Sequence, residues 1–216
     1  MSTTEIDNLR NIDLGRMPYG LALEQQLSWH QKVQNGEPAV ILTVEHEPVL
    51  TLGKNSDPGH LLLSRRSYSN MGVELFETER GGEVTAHMPG QLVVYPIIDV
   101  LKFNLTVREY INGLEQSVIE TLKDYGVAAT TDARLPGVWV AGEKICAIGV
   151  RVKSRITMHG LALNINNDTD LFEKIVPCGI KSRGVTTLSK LVGRRLEVVA
   201  VRDILLRNLK RQLINC

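Results

Sequence analysis

The sequence predicts an α+β domain built on a mostly antiparallel or mixed sheet, and three observations lead there. Strand-like runs follow one another instead of alternating regularly with helices. Three of them, Gly137–Val140, Lys144–Val152 and Ile156–Ile165, are separated only by Gly142 and the Lys153–Arg155 turn, which reads as a meander. The helical patterns stand apart from these runs, near the start, middle and end of the chain.

The first helical pattern covers Pro18 to Gln34 and is stopped by Gly36. Ala39–Val44 reads as a buried strand. His46–Asp57 reads as strand plus turn, interrupted by Pro48 and bounded by Pro58. Gly81-Gly82 marks a turn or a close backbone approach. Leu92–Ile97 is β-rich, and Pro96 predicts that the strand ends there or lies at an edge. Thr106–Gly126 is the clearest helix. Thr106 and Glu109 have capping-box spacing, Ile111, Leu114, Val118, Leu122 and Tyr125 share one face, and Gly126 closes it. Thr169–Ile175 reads as a short helix and Leu196–Leu213 as the last, amphipathic one. No repeat, low-complexity tract or linker divides residues 1–216, which predicts one domain.

Composition narrows the class of protein. Of 216 residues 43% are apolar and 23% charged, as in a globular protein with a substantial core. The polar start MSTTEIDNLR and the absence of a long apolar run predict a cytoplasmic protein that neither enters nor spans a membrane. Cys146, Cys178 and Cys216 show no redox or zinc spacing and read as free thiols. The net charge of +1 conceals an asymmetry. Residues 1–143 carry 11 Lys+Arg against 19 Asp+Glu, and residues 144–216 carry 14 against 5. This reads either as two mutually neutralising solvated faces or as a basic surface for an acidic protein. With no binding motif or basic–aromatic interleaving, nucleic acid is the weaker partner.

Phosphate loops, dinucleotide glycine fingerprints, paired-His zinc motifs and nucleophile-elbow serines are all missing from the sequence. Three features remain. Pro177-Cys178-Gly179 presents a thiol between a stiff and a permissive residue, either a nucleophile or a small buried cysteine in a turn. Lys144 opens the apolar strand Lys-Ile-Cys-Ala-Ile-Gly, in which Cys146 reads as buried. Burial disfavours the ammonium, so the amine can act as a base; the alternative is a strand-end lysine snorkelling to water. Arg80–Gln91 gathers two glycines, a hydroxyl, an imidazole and an amide. It reads as a ligand-lining segment or as a hairpin loop with a structural histidine. His159-Gly160 echoes it more weakly.

Together these segments closely resemble the octanoyltransferase (lipoate-protein ligase B) family. The resemblance spans roughly residues 45–180: Glu45–Gly53, Arg80–Gln91 running to Tyr95-Pro96, Gly137–Val140, Lys144–Gly149, His159–Asn164 and Pro177-Cys178-Gly179. It implies a large mixed, mostly antiparallel sheet flanked by helices plus a smaller sheet, as in lipoate and biotin ligase catalytic domains. It implies that octanoyl passes from acyl carrier protein to a thioester on Cys178. From there it moves to a lysine of a lipoyl-carrier domain, in 2-oxoacid dehydrogenases or the glycine cleavage H protein, with no cofactor or metal. Lys144 maps to the family's acid/base. The acyl-binding segments map to Arg80, Gly81, Gly82, Glu83, Val84, Thr85, Ala86 and His87, to Ala147, Ile148 and Gly149, and to Gly160, Leu161 and Ala162. The family usually has Gly at Met88 and often an aromatic residue at Ala86, so the resemblance puts altered bulk beside the acyl tunnel. Three rivals remain: an ATP-dependent ligase on the same fold, a cysteine thioesterase, and a non-catalytic module that binds a carrier protein.

Overall fold

A computed structural model describes residues 9–132, 135–176 and 183–215. Cys178 and Cys216 lie outside them. A seven-stranded sheet organises the chain: β1 (Arg10–Met17), β2 (Val40–His46), β6 (Gln91–Ile97), β7 (Thr130–Thr131), β8 (Gly137–Val140), β9 (Glu143–Lys153) and β10 (Ile156–Asn164). Their spatial order is β1-β2-β6-β10-β9-β8-β7. Only the β1–β2 pair is parallel, so the large sheet is mixed and mostly antiparallel. A second sheet has β3 (Val49–Leu52) between β4 (Glu74–Glu77) and β5 (Val84–His87).

Alternation along the strands sorts two cores. Ile41, Leu92, Val94, Leu161 and Leu163 face helices α3 (Val107–Asp124) and α5 (Val198–Asn215). Val40, Leu42, Val93, Tyr95 and Ala162 face the opposite side, where α1 (Tyr19–Gln34) contributes Ala22 and Val33. Because helices cover both faces, β6 is buried throughout and reads as a continuous apolar run. The smaller sheet packs with α2 (Arg65–Asn70) around Leu50, Tyr68, Ala86, Met88 and Phe172.

The α3 start forms as its sequence predicts: the Thr106 hydroxyl accepts from Glu109 N–H and the Glu109 carboxylate accepts from Thr106 N–H. The β8–β10 meander is present. Thr169–Ile175 yields only a 3₁₀ turn at Phe172–Lys174, and a short helix α4 (Leu188–Val192) precedes α5.

Pro96 stands one residue before the end of β6, as the sequence predicts, but the strand is not at an edge. The proline lies opposite Ile41 of β2. The β6–β10 ladder ends at Val94–Leu161, so no partner requires the proline's missing N–H on that side. Beyond it β10 bends. His159 adopts a left-handed φ of 56°, and its N–H turns to the Gln26 side chain of α1 at 2.9 Å. Gly160 fills the corner: a Cβ there would stand 2.2 Å from Val94 O and 2.9 Å from Pro96 Cδ. The proline and the glycine are therefore complementary halves of one strand bend.

Candidate active site

The bend opens a cavity between the α1 face of the large sheet and β5 of the small one. Of the sequence-predicted site residues, Arg80, Gly82, Glu83, Val84, Thr85, His87, Lys144, Ala147, Ile148, Gly149, Gly160, Leu161 and Ala162 line it. Three separate sequence segments thus converge on one space. Two called residues stand outside the lining. Gly81 uses its N–H to bond Val150 O at 2.9 Å. Ala86 points into the small-sheet core, beside Leu50 and Met88. Ala86 and Met88 therefore belong to one buried cluster outside the cavity lining.

Arg80 acts as a structural clamp. Buried, it donates to Thr51 O (2.6 Å), Thr51 Oγ1 (3.0 and 3.2 Å), Glu83 O (2.6 Å) and Gly81 O (3.0 Å). Thr51 of β3 and two carbonyls of its own loop thus hold the guanidinium, and the loop is fixed in return. Space there is tight: a Cβ on Gly53 would meet Gly82 O at 2.4 Å, and one on Gly149 would meet Gly81 O at 3.0 Å. Arg151 of β9 pairs with Glu79 and ties the loop to the large sheet.

At the channel mouth, Lys144 is 8% exposed. It pairs across the β8–β9 ladder with Trp139, and its Nζ lies 4.7 Å from the indole centroid. Arg183 stands over the same ring at 4.8 Å and bonds Asp132 at 2.8 Å. Gly137 lets β8 approach so closely, because a Cβ there would be 2.6 Å from Cys146 O. The Gly137 N–H in turn donates to buried Glu115 of α3 at 3.0 Å. Both backbone groups of Lys144 are held by the returning chain: its N–H donates to Gly184 O (2.9 Å), and its O accepts from Thr186 N–H (3.0 Å). Cys146 is fully buried, and burial pushes its thiol up to about 12, far from a reactive thiolate.

The inner end is polar and was not legible as a group. Tyr19, Tyr95, His87 and His159 line it, with His46 behind, hydrogen-bonded to Tyr95 Oη at 2.8 Å. His87 Nδ1 lies 2.8 Å from Gln91 Oε1, and Gln91 Nε2 donates to Asn164 Oδ1 at 2.9 Å. Asn164 Nδ2 donates to Thr186 O at 3.2 Å, so the network reaches the segment bound to Lys144. Because Gln91 spends its amide protons elsewhere, His87 carries its proton on Nδ1. Periodicity flags none of these partners; only the resemblance segments contain Tyr95, Gln91 and Asn164.

Burial lowers all three imidazoles: His46 to about 4, His159 to about 3, and His87 well below its ordinary value. In the unfolded chain they bind protons near pH 6.5. Their contribution to stability is therefore full above that pH and is lost as pH falls toward 4 and 3. At pH 5 His46 and His159 should each cost roughly 2 kcal/mol relative to pH 7.5. Urea unfolding at the two pH values measures this. The double variant His46→Gln/His159→Gln should show a flatter dependence, and an unchanged slope would count against the assignment.

A buried lysine thus stands at the mouth of a largely apolar channel on a mixed-sheet frame. Residues 17–210 match the family model described as the lipoyl protein ligase A/B catalytic domain, and the chain belongs to that family. An octanoyltransferase of Alkaliphilus metalliredigens is 42% identical over 188 residues, covering 86% of each chain. One of Bacteroides fragilis is 40% identical over 211 residues, covering 92% of this chain and 95% of its own. The fold is that of a lipoate-protein ligase A solved with ATP, with TM-score 0.79 and 16% identity over 95% of this chain and 85% of that one. A biotin protein ligase from Aquifex aeolicus shares it at TM-score 0.59 and 14% identity, over 94% and 70%.

Proposed function

We propose that the chain transfers an octanoyl group to protein lysines in protein lipoylation, through a thioester on Cys178. Lys144 takes the Cys178 proton, and the thiolate attacks the carbonyl of an octanoyl thioester on acyl carrier protein. The C–S bond to the carrier breaks, and Lys144 protonates the departing thiol. In the second half the same amine removes a proton from the acceptor ammonium of a lipoyl domain. The free amine attacks the acyl-enzyme, and the Cys178 thiol is released as the amide forms. Thioester-to-thioester exchange is nearly isoenergetic and amide formation runs downhill, so the sequence of steps needs no ATP.

One observation carries this reading: the segment that resumes at Arg183 is hydrogen-bonded directly to the backbone of Lys144 at the channel mouth. Upstream, Val176 N–H bonds His60 O at 2.9 Å. Cys178 follows Val176 by two residues and precedes Gly184 by six. An extended residue spans at most about 3.6 Å, so the chain length between Cys178 and Gly184 permits the thiol to reach this mouth. Inside, Val93, Ala162 and Ala147 offer apolar surface to the acyl tail. Each buried methylene contributes roughly 0.8 kcal/mol.

Mixing the protein with octanoyl carrier protein should give a single octanoyl adduct by intact mass spectrometry. It should be labile to hydroxylamine and absent in Cys178→Ala. Full transfer by Cys178→Ser with ATP and free octanoate would instead make the chain a ligase. Equal release of free octanoate without acceptor would make it a thioesterase.

A further inference from the structure

Three of the fourteen basic residues in 144–216, Lys190, Arg194 and Arg195, cluster beside this site. From the channel mouth at Lys144 and Arg183, a second depression between Arg183 and Lys190 leads to a shallow groove at the end of α4. The groove is lined by Asn166, Ser189, Lys190, Gly193, Arg194 and Arg195, with no acidic side chain. Among the described residues neither Arg194 nor Arg195 forms an ion pair, while Lys190 reaches Glu143 at 4.0 Å. Leu191, 37% exposed, stands in the middle of the basic run.

We propose that this groove docks the acidic protein that delivers the acyl thioester, an inference resting on the carrier-bound donor proposed above. Three facts support it. The loop is pre-set: Gly193 turns left-handed at φ 70°, and Arg194 N–H bonds Ser189 O at 3.2 Å. Asn166 clamps Leu196 by two bonds, of 2.7 and 3.0 Å. Little order is then lost when a partner binds. An exposed leucine between Lys190 and the two arginines matches a protein surface with acidic rim and apolar centre, and their field speeds encounter.

The third fact is distance. Thr186 is bonded to Lys144, and the chain from Thr186 to Arg194 spans at most about 20 Å, given helical and extended rises. An acceptor lysine must bring its own nitrogen to Lys144, so the acceptor body sits at the mouth itself. A donor thioester on a long flexible arm lets its protein sit farther back, where the groove lies.

The variant Lys190→Glu/Arg194→Glu/Arg195→Glu tests the assignment, with acyl-enzyme formation followed from three donors. These are octanoyl carrier protein, octanoyl-phosphopantetheine and octanoyl-pantetheine. With the carrier protein kcat/KM should fall at least about tenfold, and the wild type should depend on salt more steeply than the variant. With both small thioesters it should be unchanged. An unchanged rate with the carrier protein overturns the proposal. So does an equal loss with octanoyl-phosphopantetheine, which would make the groove a phosphate site, or a loss confined to transfer onto the acceptor domain. Should the triple variant lose octanoyl-pantetheine activity as well, Arg194→Gln/Arg195→Gln replaces it and must show a smaller loss with the carrier protein alone. A wild type that accepts octanoyl from none of the three refutes the acyl-transfer reading itself, separately from docking.

Discussion

Lys144→Met should lower octanoyl transfer by at least about a thousandfold and leave the fold standing. Proton transfer by a positioned group accounts for roughly 10²–10⁴ in rate, and here one amine serves both halves of the reaction. The thiol would be poorly activated, and any acyl-enzyme that formed would meet an acceptor still protonated. Methionine keeps the length that packs over Trp139. The backbone bonds to Gly184 and Thr186 do not involve the side chain. Removing a charge from so enclosed a position should change stability by no more than about 1 kcal/mol. Single-turnover assays of each half, beside a thermal melt, give the comparison. Transfer at the wild-type rate would remove Lys144 from the mechanism.

The second large effect concerns stability. Gly160→Ala should cost at least about 3 kcal/mol, a substantial share of the 5–15 kcal/mol typical of a domain. The new methyl would meet Val94 O at 2.2 Å and Pro96 Cδ at 2.9 Å, one of them backbone and the other a ring locked to it. Neither can move without opening the β6–β10 seam at the centre of the large sheet. Gly149→Ala is the control: directly opposite in the β9–β10 ladder, it meets Gly81 O at 3.0 Å and Arg80 Cδ at 3.3 Å. At 3.0 Å instead of 2.2 Å the overlap is relieved by a shift of a few tenths of an ångström, so its cost should be nearer 1 kcal/mol. Equal urea midpoints for the two variants would show that the bend is not held as described.

What the sequence reveals and conceals follows from range. Helix α3 is legible because its cap, apolar face and closing glycine are all local. The β8–β10 meander is legible for the same reason, since short turns force neighbours to pair. β1 is silent. Its residues Arg10–Met17 are largely exposed at a sheet edge and carry no buried run to announce them. Pro96 marks the strand's end, but its place in a central strand depends on Gly160, sixty-four residues later, leaving the ladder opposite it. The candidate site behaves likewise. Lys144, the glycine block and the Gly160 segment each carry a local mark. Their convergence, the Arg80 clamp and the buried histidine–tyrosine floor depend on pairings between distant strands. Arg80 in particular gives no sign in sequence of its bonds to Thr51 on β3 and to Gly81 and Glu83 of its own loop.

The Lys144–Trp139 contact has an optical consequence. Trp139 is one of only two tryptophans in the chain, and its indole is flanked by the Lys144 amine and the Arg183 guanidinium. Trp29 lies half-buried on α1, with Lys32 and Arg10 over its ring. With Trp29 replaced by phenylalanine, the emission of the molecule becomes that of the channel mouth alone. Arrival of a thioester, or a change in the neighbouring amine, is then visible in real time without any attached dye.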